Sequence, residues 1–103
     1  MIRPCHFLGG AQAVKPQVPG EERMQITCWG ARGSIPVSGK EYIRYGGDTT
    51  CLEIRASSGD IIIVDAGTGM RRLGNHLLRE GQYKYNFLLT HAHWDHLMGF
   101  PFF

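Results

Sequence analysis

The stretch LLTHAHWDHLMGFPFF, residues 88–103, holds three of the chain's five histidines, all inside the hexapeptide His91-Ala92-His93-Trp94-Asp95-His96. An apolar, strand-like run (YNFLLT, 85–90) leads straight into it. Alternate side chains of an extended segment project to one side, so His91 and His93 can face one ion. If the backbone then turns into a helix, Asp95 and His96 can reach a second ion. Imidazole nitrogen and carboxylate oxygen suit zinc first, with manganese or iron as alternatives. The competing reading is a hydrogen-bonded histidine cluster at a helix start. A site just past the end of a strand is also where open α/β sheets place their chemistry.

Upstream, MQITCWG (24–30) and TCLEIRA (50–56) read as strands, and the β-branched run IIIVDA (61–66) reads as a buried central one. The turn SSGD makes the last two a hairpin. GTGMRRLGNHLLREG follows, with Met70, Leu73 and Leu77 at helical spacing, Thr68 placed to cap the start and Gly81 to end the helix. Arg72, Asn75, His76 and Arg79 would then face water. Gly67-Thr68-Gly69 is a tight strand-to-helix turn: Arg72 replaces the third glycine of a dinucleotide fingerprint, and no P-loop motif is present. The order strand, strand, strand, helix, strand gives an α/β layered arrangement. Residues 31–49 form a long Gly-containing loop of the kind that rims functional sites. Residues 1–23, with three of the five prolines, read as a flexible arm, and the folded unit begins at Met24.

The totals exclude several classes. At 43% apolar and 19% charged residues the chain is globular, and a net charge of +2 is too mild to argue for nucleic acid. No apolar run reaches the ~18 residues of a membrane span. Cys5, Cys28 and Cys51 are odd in number and lack a C-x-x-C pair, so no disulfide framework or zinc ribbon is expected. Cys28 and Cys51 read as small buried hydrophobes on strands, in keeping with a reducing cytoplasm.

The chain resembles the metallo-β-lactamase superfamily. THAHWDH looks like its H-x-H-x-D-H signature, and WGARGSIPVSG, RYGGDTTCLEI, DAGTGMRRLG and LLTHAHWDHLMGFPFF are similar, in order, to the opening segments of the ribonuclease Z-like and cyclic-phosphodiester hydrolase branch. The resemblance covers residues 24–103 and implies the N-terminal half of an αβ/βα sandwich, a mixed sheet with helices packed on one face. It implies a hydrolase with two divalent ions, His91 and His93 binding the first, Asp95 and His96 the second. Asp95 is also the residue it assigns to catalysis. Asp65 would brace the metal loop from outside, since ligand orientation depends on such partners; a turn or helix-capping role is its alternative. A phosphodiester or nucleotide-like substrate follows from the same branch, with thioester, lactone or β-lactam hydrolysis as alternatives. Arg32, Ser34 and Arg44 could touch substrate or merely be solvated.

Members of that superfamily run to more than twice the folded length seen here, and their second half supplies further metal ligands. Two ions about 3.5–4 Å apart need more donors than four side chains give, so a site open on one side is expected to bind metal weakly. The apolar GFPFF segment would also lack a cover. Three expectations follow: a hydrolase represented in part, a half-domain completed by another chain or a copy of itself, or a non-catalytic metal-binding or interaction module.

Overall fold

The computed structural model describes residues 22–103 and the backbone of residues 2–3. Five strands form one mixed sheet in sequence order: β1 (Ile2–Arg3), β2 (Gln25–Gly30), β3 (Cys51–Arg55), β4 (Ile61–Val64) and β5 (Asn86–Leu88). The pairs β2·β3 and β3·β4 are antiparallel, whereas β1·β2 and β4·β5 are parallel. The pairing Ile2↔Ile26 and Arg3↔Thr27 ties one point of the expected arm to the sheet. The rest of that arm, with His6, lies outside the described residues.

The 61–64 strand is interior, between β3 and the edge strand β5, though not the central one of the five, and its hairpin with β3 turns through residues 56–60. A single helix, α1 (Met70–Glu80), makes the crossover from β4 to the parallel β5. Its Met70, Leu73 and Leu77 pack with Cys51, Ile61, Ile63 and Ala66 as the buried core, flanked by Trp29 and Phe87. The spacing of those three residues puts them on one stripe, which is why the helix covers one face of the sheet. Gly81 closes α1 in the left-handed conformation (φ 70°), and the Gln82 N–H donates to Leu77 O at 2.9 Å.

Four expectations need correction. Thr68 does not cap α1: the capping position is Gly69 and no side-chain cap bond is made. Thr68 serves tertiary structure instead, accepting from the Thr49 N–H (2.9 Å) and donating to Asp48 Oδ1 (3.0 Å). Arg72 does not simply face water. Its Nε donates to Asp48 Oδ2 at 2.9 Å and its Nη2 to Trp29 O at 2.7 Å, which locks α1 to β2 and to the end of the long loop. Half-buried His76 stacks on Trp29 with ring centroids 5.2 Å apart and pairs with Glu80. The strand expected over 85–90 is shorter and lies at a sheet edge, with Leu88 56% and Leu89 48% exposed. Its apolar residues suggested burial, but no described strand pairs with its outer edge.

The cysteines divide. Cys51 is a buried free thiol on β3, as expected. Cys28 is only half-buried and is disulfide-bonded, which corrects the expectation of a buried hydrophobe in a chain without disulfides.

Backbone contacts at glycines set how the histidine segment docks. The Gly99 N–H donates to Ala66 O at 2.8 Å, and a Cβ added at Gly99 would lie 1.9 Å from Gly67 O. Only a residue without a side chain allows that approach. The aromatic end of the chain then packs back, Phe103 edge-on against Tyr85 (5.1 Å between centroids) and Phe100 against Phe87 (5.8 Å). Phe100 and Phe102 remain 59% and 70% exposed. Gly99→Ala is expected to lower stability by about 2 kcal/mol, as overpacking does. A urea melt showing an unchanged midpoint would contradict this close approach.

Candidate metal centre

Two parallel strands end side by side. Asp65 follows Val64 of β4, and Thr90 lies two residues past Leu88 of β5. The Asp65 N–H donates to Leu88 O at 2.8 Å, so both chain ends are held at the same sheet edge. Beyond it a short 3-10 turn, Trp94–His96, closes the histidine segment, and the Ala66 N–H donates to His96 O at 2.8 Å. Residues 91–96 thus sit against the DAGTG turn through main-chain bonds.

Asp65 is 2% exposed and has φ +62°, a left-handed conformation that a non-glycine residue adopts at a cost. Its carboxylate accepts the Thr90 N–H (2.8 Å) and the His96 Nδ1–H (2.8 Å), and the Thr90 hydroxyl lies 3.0 and 2.8 Å from its two oxygens. Burial alone would push this carboxyl up. The bonds from Thr90 and His96 outweigh it and hold the acid below the usual carboxylate value. Asp65 thus bonds to Thr90 and His96, at the two ends of the histidine segment, and α1 takes no side-chain cap.

The other side chains converge. His91 Nε2 lies 3.1 Å from His93 Nδ1, and the His91 ring centroid stands 4.4 Å from that of His93 and 4.2 Å from that of His96. His96 Nε2 lies 3.5 Å from Asp95 Oδ2. Among the described residues no set of three or more His, Cys, Asp or Glu side chains is arranged to hold one cation. What is present is two pairs of donors, His91 with His93 and Asp95 with His96. Two donors ~2.1 Å from one ion stand ~3.4 Å apart at a tetrahedral angle and ~3.0 Å apart at a right angle. The spacings of 3.1 and 3.5 Å are compatible with each pair sharing an ion.

The long loop reaches the cluster. The Ser34 N–H donates to Asp95 Oδ2 at 2.9 Å, and this bond is the chief reason the Asp95 carboxyl lies below its ordinary value. Ser34 itself has φ +74°. The loop's ends are pinned where the Ala31 and Arg32 N–H groups donate to Asp48 O (3.1 and 3.0 Å). Arg32 and Arg44 lie over the rings of Tyr42 and Tyr45, at 4.7 and 5.1 Å.

Sequence reasoning gave no role to Thr90 or to the Ser34 backbone. Thr90 could have been found from its position, since a hydroxyl directly before His91 sits within reach of that ring. The Ser34 contact spans 61 residues and left no local signal. Cys51 takes no part in the cluster. Burial, with the carboxylates of Glu53, Asp65 and Asp48, pushes its thiol up to about 12, so it stays protonated and inert at neutral pH.

No family model, curated protein or solved structure matches the chain.

The acid behaviour of Asp65 is testable. Its native-state pKa lies below the ~3.9 of an unfolded aspartate, so its bonds stabilise fully above that value. The contribution is lost as pH falls through the lowered native value. Asp65→Asn should cost about 2 kcal/mol at pH 7 by leaving buried donors unpaired. The gap between wild type and variant should narrow below pH 4. Parallel denaturation curves with a constant gap from pH 7 to 2 would contradict it.

Proposed function

We propose that the chain is the N-terminal half-domain of a metal-dependent hydrolase of metallo-β-lactamase type, acting on phosphodiester bonds. The observation that carries the reading is the pairing of donor atoms at the end of two parallel strands: His91 Nε2 with His93 Nδ1 at 3.1 Å, His96 Nε2 with Asp95 Oδ2 at 3.5 Å. The mixed sheet with one helix-covered face is compatible with half of an αβ/βα sandwich. Zinc is the preferred ion for such donors, with manganese or iron as alternatives.

In this reading His91 and His93 hold one ion and Asp95 and His96 a second. Asp65 keeps the His96 proton on Nδ1, so the Nε2 lone pair is available. The Ser34 N–H donates to Asp95 Oδ2 and so orients that carboxylate beside His96. When bound, the ions supply an activated water and positive charge against the phosphorus oxygens. Asp95, the residue assigned to catalysis, acts as a ligand and an orienting carboxylate. Four donors fall short of two complete coordination spheres, so the remainder comes from water, substrate or further protein groups.

A second reading, that a copy of this chain or another chain completes the site, draws support from the apolar surface beside β5. There Leu88, Leu89, Trp94, Phe100 and Phe102 are between 48% and 72% exposed. No helix among the described residues is long and apolar enough to cross a membrane. A cytoplasmic setting goes with this function provided that Cys28 is reduced there, because disulfides persist in oxidising compartments.

His93→Ala is expected to weaken zinc uptake by ~100-fold or more while leaving the far-ultraviolet circular dichroism unchanged. Equal zinc content in wild type and variant by elemental analysis would count against the site. The 103-residue chain should hydrolyse bis(p-nitrophenyl) phosphate poorly. Robust, EDTA-sensitive turnover by a verified monomer would show that four donors suffice.

A further inference from the structure

The Thr90 hydroxyl occupies a position that the ligand assignment leaves unexplained. Its oxygen lies 2.8 Å from Asp65 Oδ2, 3.0 Å from Asp65 Oδ1 and 2.9 Å from His91 Nδ1. A hydroxyl has one proton to give and two lone pairs with which to accept. The Asp65 carboxyl already accepts the Thr90 N–H at Oδ1 and faces His96 Nδ1 at Oδ2, so it is the acceptor here and the Thr90 proton goes to it. The remaining partner, His91 Nδ1, must then be the donor to Thr90 Oγ1. A neutral imidazole that carries its proton on Nδ1 has a bare lone pair on Nε2. That Nε2 is the atom that faces His93, at 3.1 Å.

The same carboxylate fixes His96 directly through Nδ1, at 2.8 Å. One buried charge therefore orders two rings, one at first hand and one through a hydroxyl. The Thr90 N–H also donates to Asp65 Oδ1 at 2.8 Å, and this bond places the hydroxyl without depending on it.

We propose that Thr90 is a positioning residue whose hydroxyl relays the Asp65 charge to His91, holding His91 as the Nδ1–H tautomer so that Nε2 is free for a divalent cation. The proposal rests on the cation-binding reading above. In the cation-free chain His93 Nδ1 is then the donor to His91 Nε2. A cation between the two rings displaces that hydrogen bond and leaves His93 protonated on Nε2.

The test uses the full chain labelled with ¹⁵N, two substitutions and two readouts. Imidazole ¹⁵N shifts report the tautomer of each histidine without any metal. Zinc or cobalt(II) titration, followed on the same signals, reports affinity. In the wild type His91 and His96 should both be Nδ1–H. In Thr90→Val, His91 should lose that preference while His96 keeps it, and affinity should fall roughly tenfold to a hundredfold. Thr90→Ser, which keeps the hydroxyl, should restore both. A purely structural role for Thr90 would not separate the two histidines.

An unchanged His91 tautomer in Thr90→Val overturns the relay, whatever the metal data show. A flipped tautomer with unchanged affinity overturns the positioning role. Wild-type protein with the expected tautomers but no cation uptake at millimolar zinc defeats the functional reading itself. Thr90 is then an ordinary structural hydrogen bond, and the positioning role fails with it.

Discussion

A single buried carboxylate organises the chemically interesting end of this molecule. Asp65 sits where β4 stops, in a left-handed backbone conformation, almost without solvent contact. An ionised group so placed must be compensated, and the compensation comes from Thr90 and His96. Those partners lie at the two ends of the histidine segment, so satisfying one charge fixes the path of the whole segment. The main-chain bonds from Ala66 to His96 and from Gly99 to Ala66 fasten the same segment to the same turn.

The sheet makes this arrangement possible. β4 and β5 are parallel, so their carboxyl-terminal ends emerge side by side, and the helix between them is the crossover that parallel pairing requires. The buried stripe of α1 against β3 and β4 keeps that edge in register. On the other flank, Asp48 gathers Thr68 and Arg72, and Arg72 reaches on to Trp29 O. This second polar junction ties the end of the long loop to the start of α1. Through it the loop is held where the Ser34 N–H meets Asp95. Both junctions use a carboxylate to join segments distant in sequence. Hydrogen bonds to charged groups are the stronger kind, which suits them to that task.

The proposed hydrolase function draws on these features together. Donor atoms paired at ligand-like spacing are braced by a buried acid and partly covered by a loop. A hydrogen-bonded histidine cluster without a metal would also bring rings together. What the proposal adds to such a cluster is a use for the two donor pairs, His91 with His93 and Asp95 with His96.

The sequence by itself determined the local elements, because each is written in short-range periodicity. The β-branched run of 61–64, the i, i+3, i+7 stripe of α1, the Gly81 stop and the extended spacing of His91 and His93 needed only near neighbours to be read. It also singled out Asp65 as a carboxylate ending a buried strand, which must find a partner. Only tertiary structure decided who that partner is, that Thr68 and Arg72 serve Asp48 instead of a helix cap and the solvent, and that β5 lies exposed at an edge. It alone brought Ser34 to Asp95 across 61 residues and made Cys28 half of a disulfide. The reason is physical: a charged or hydroxyl side chain is satisfied by whatever donor or acceptor the packed fold brings to it. Such meetings between distant segments leave no period in the chain from which they could be foreseen.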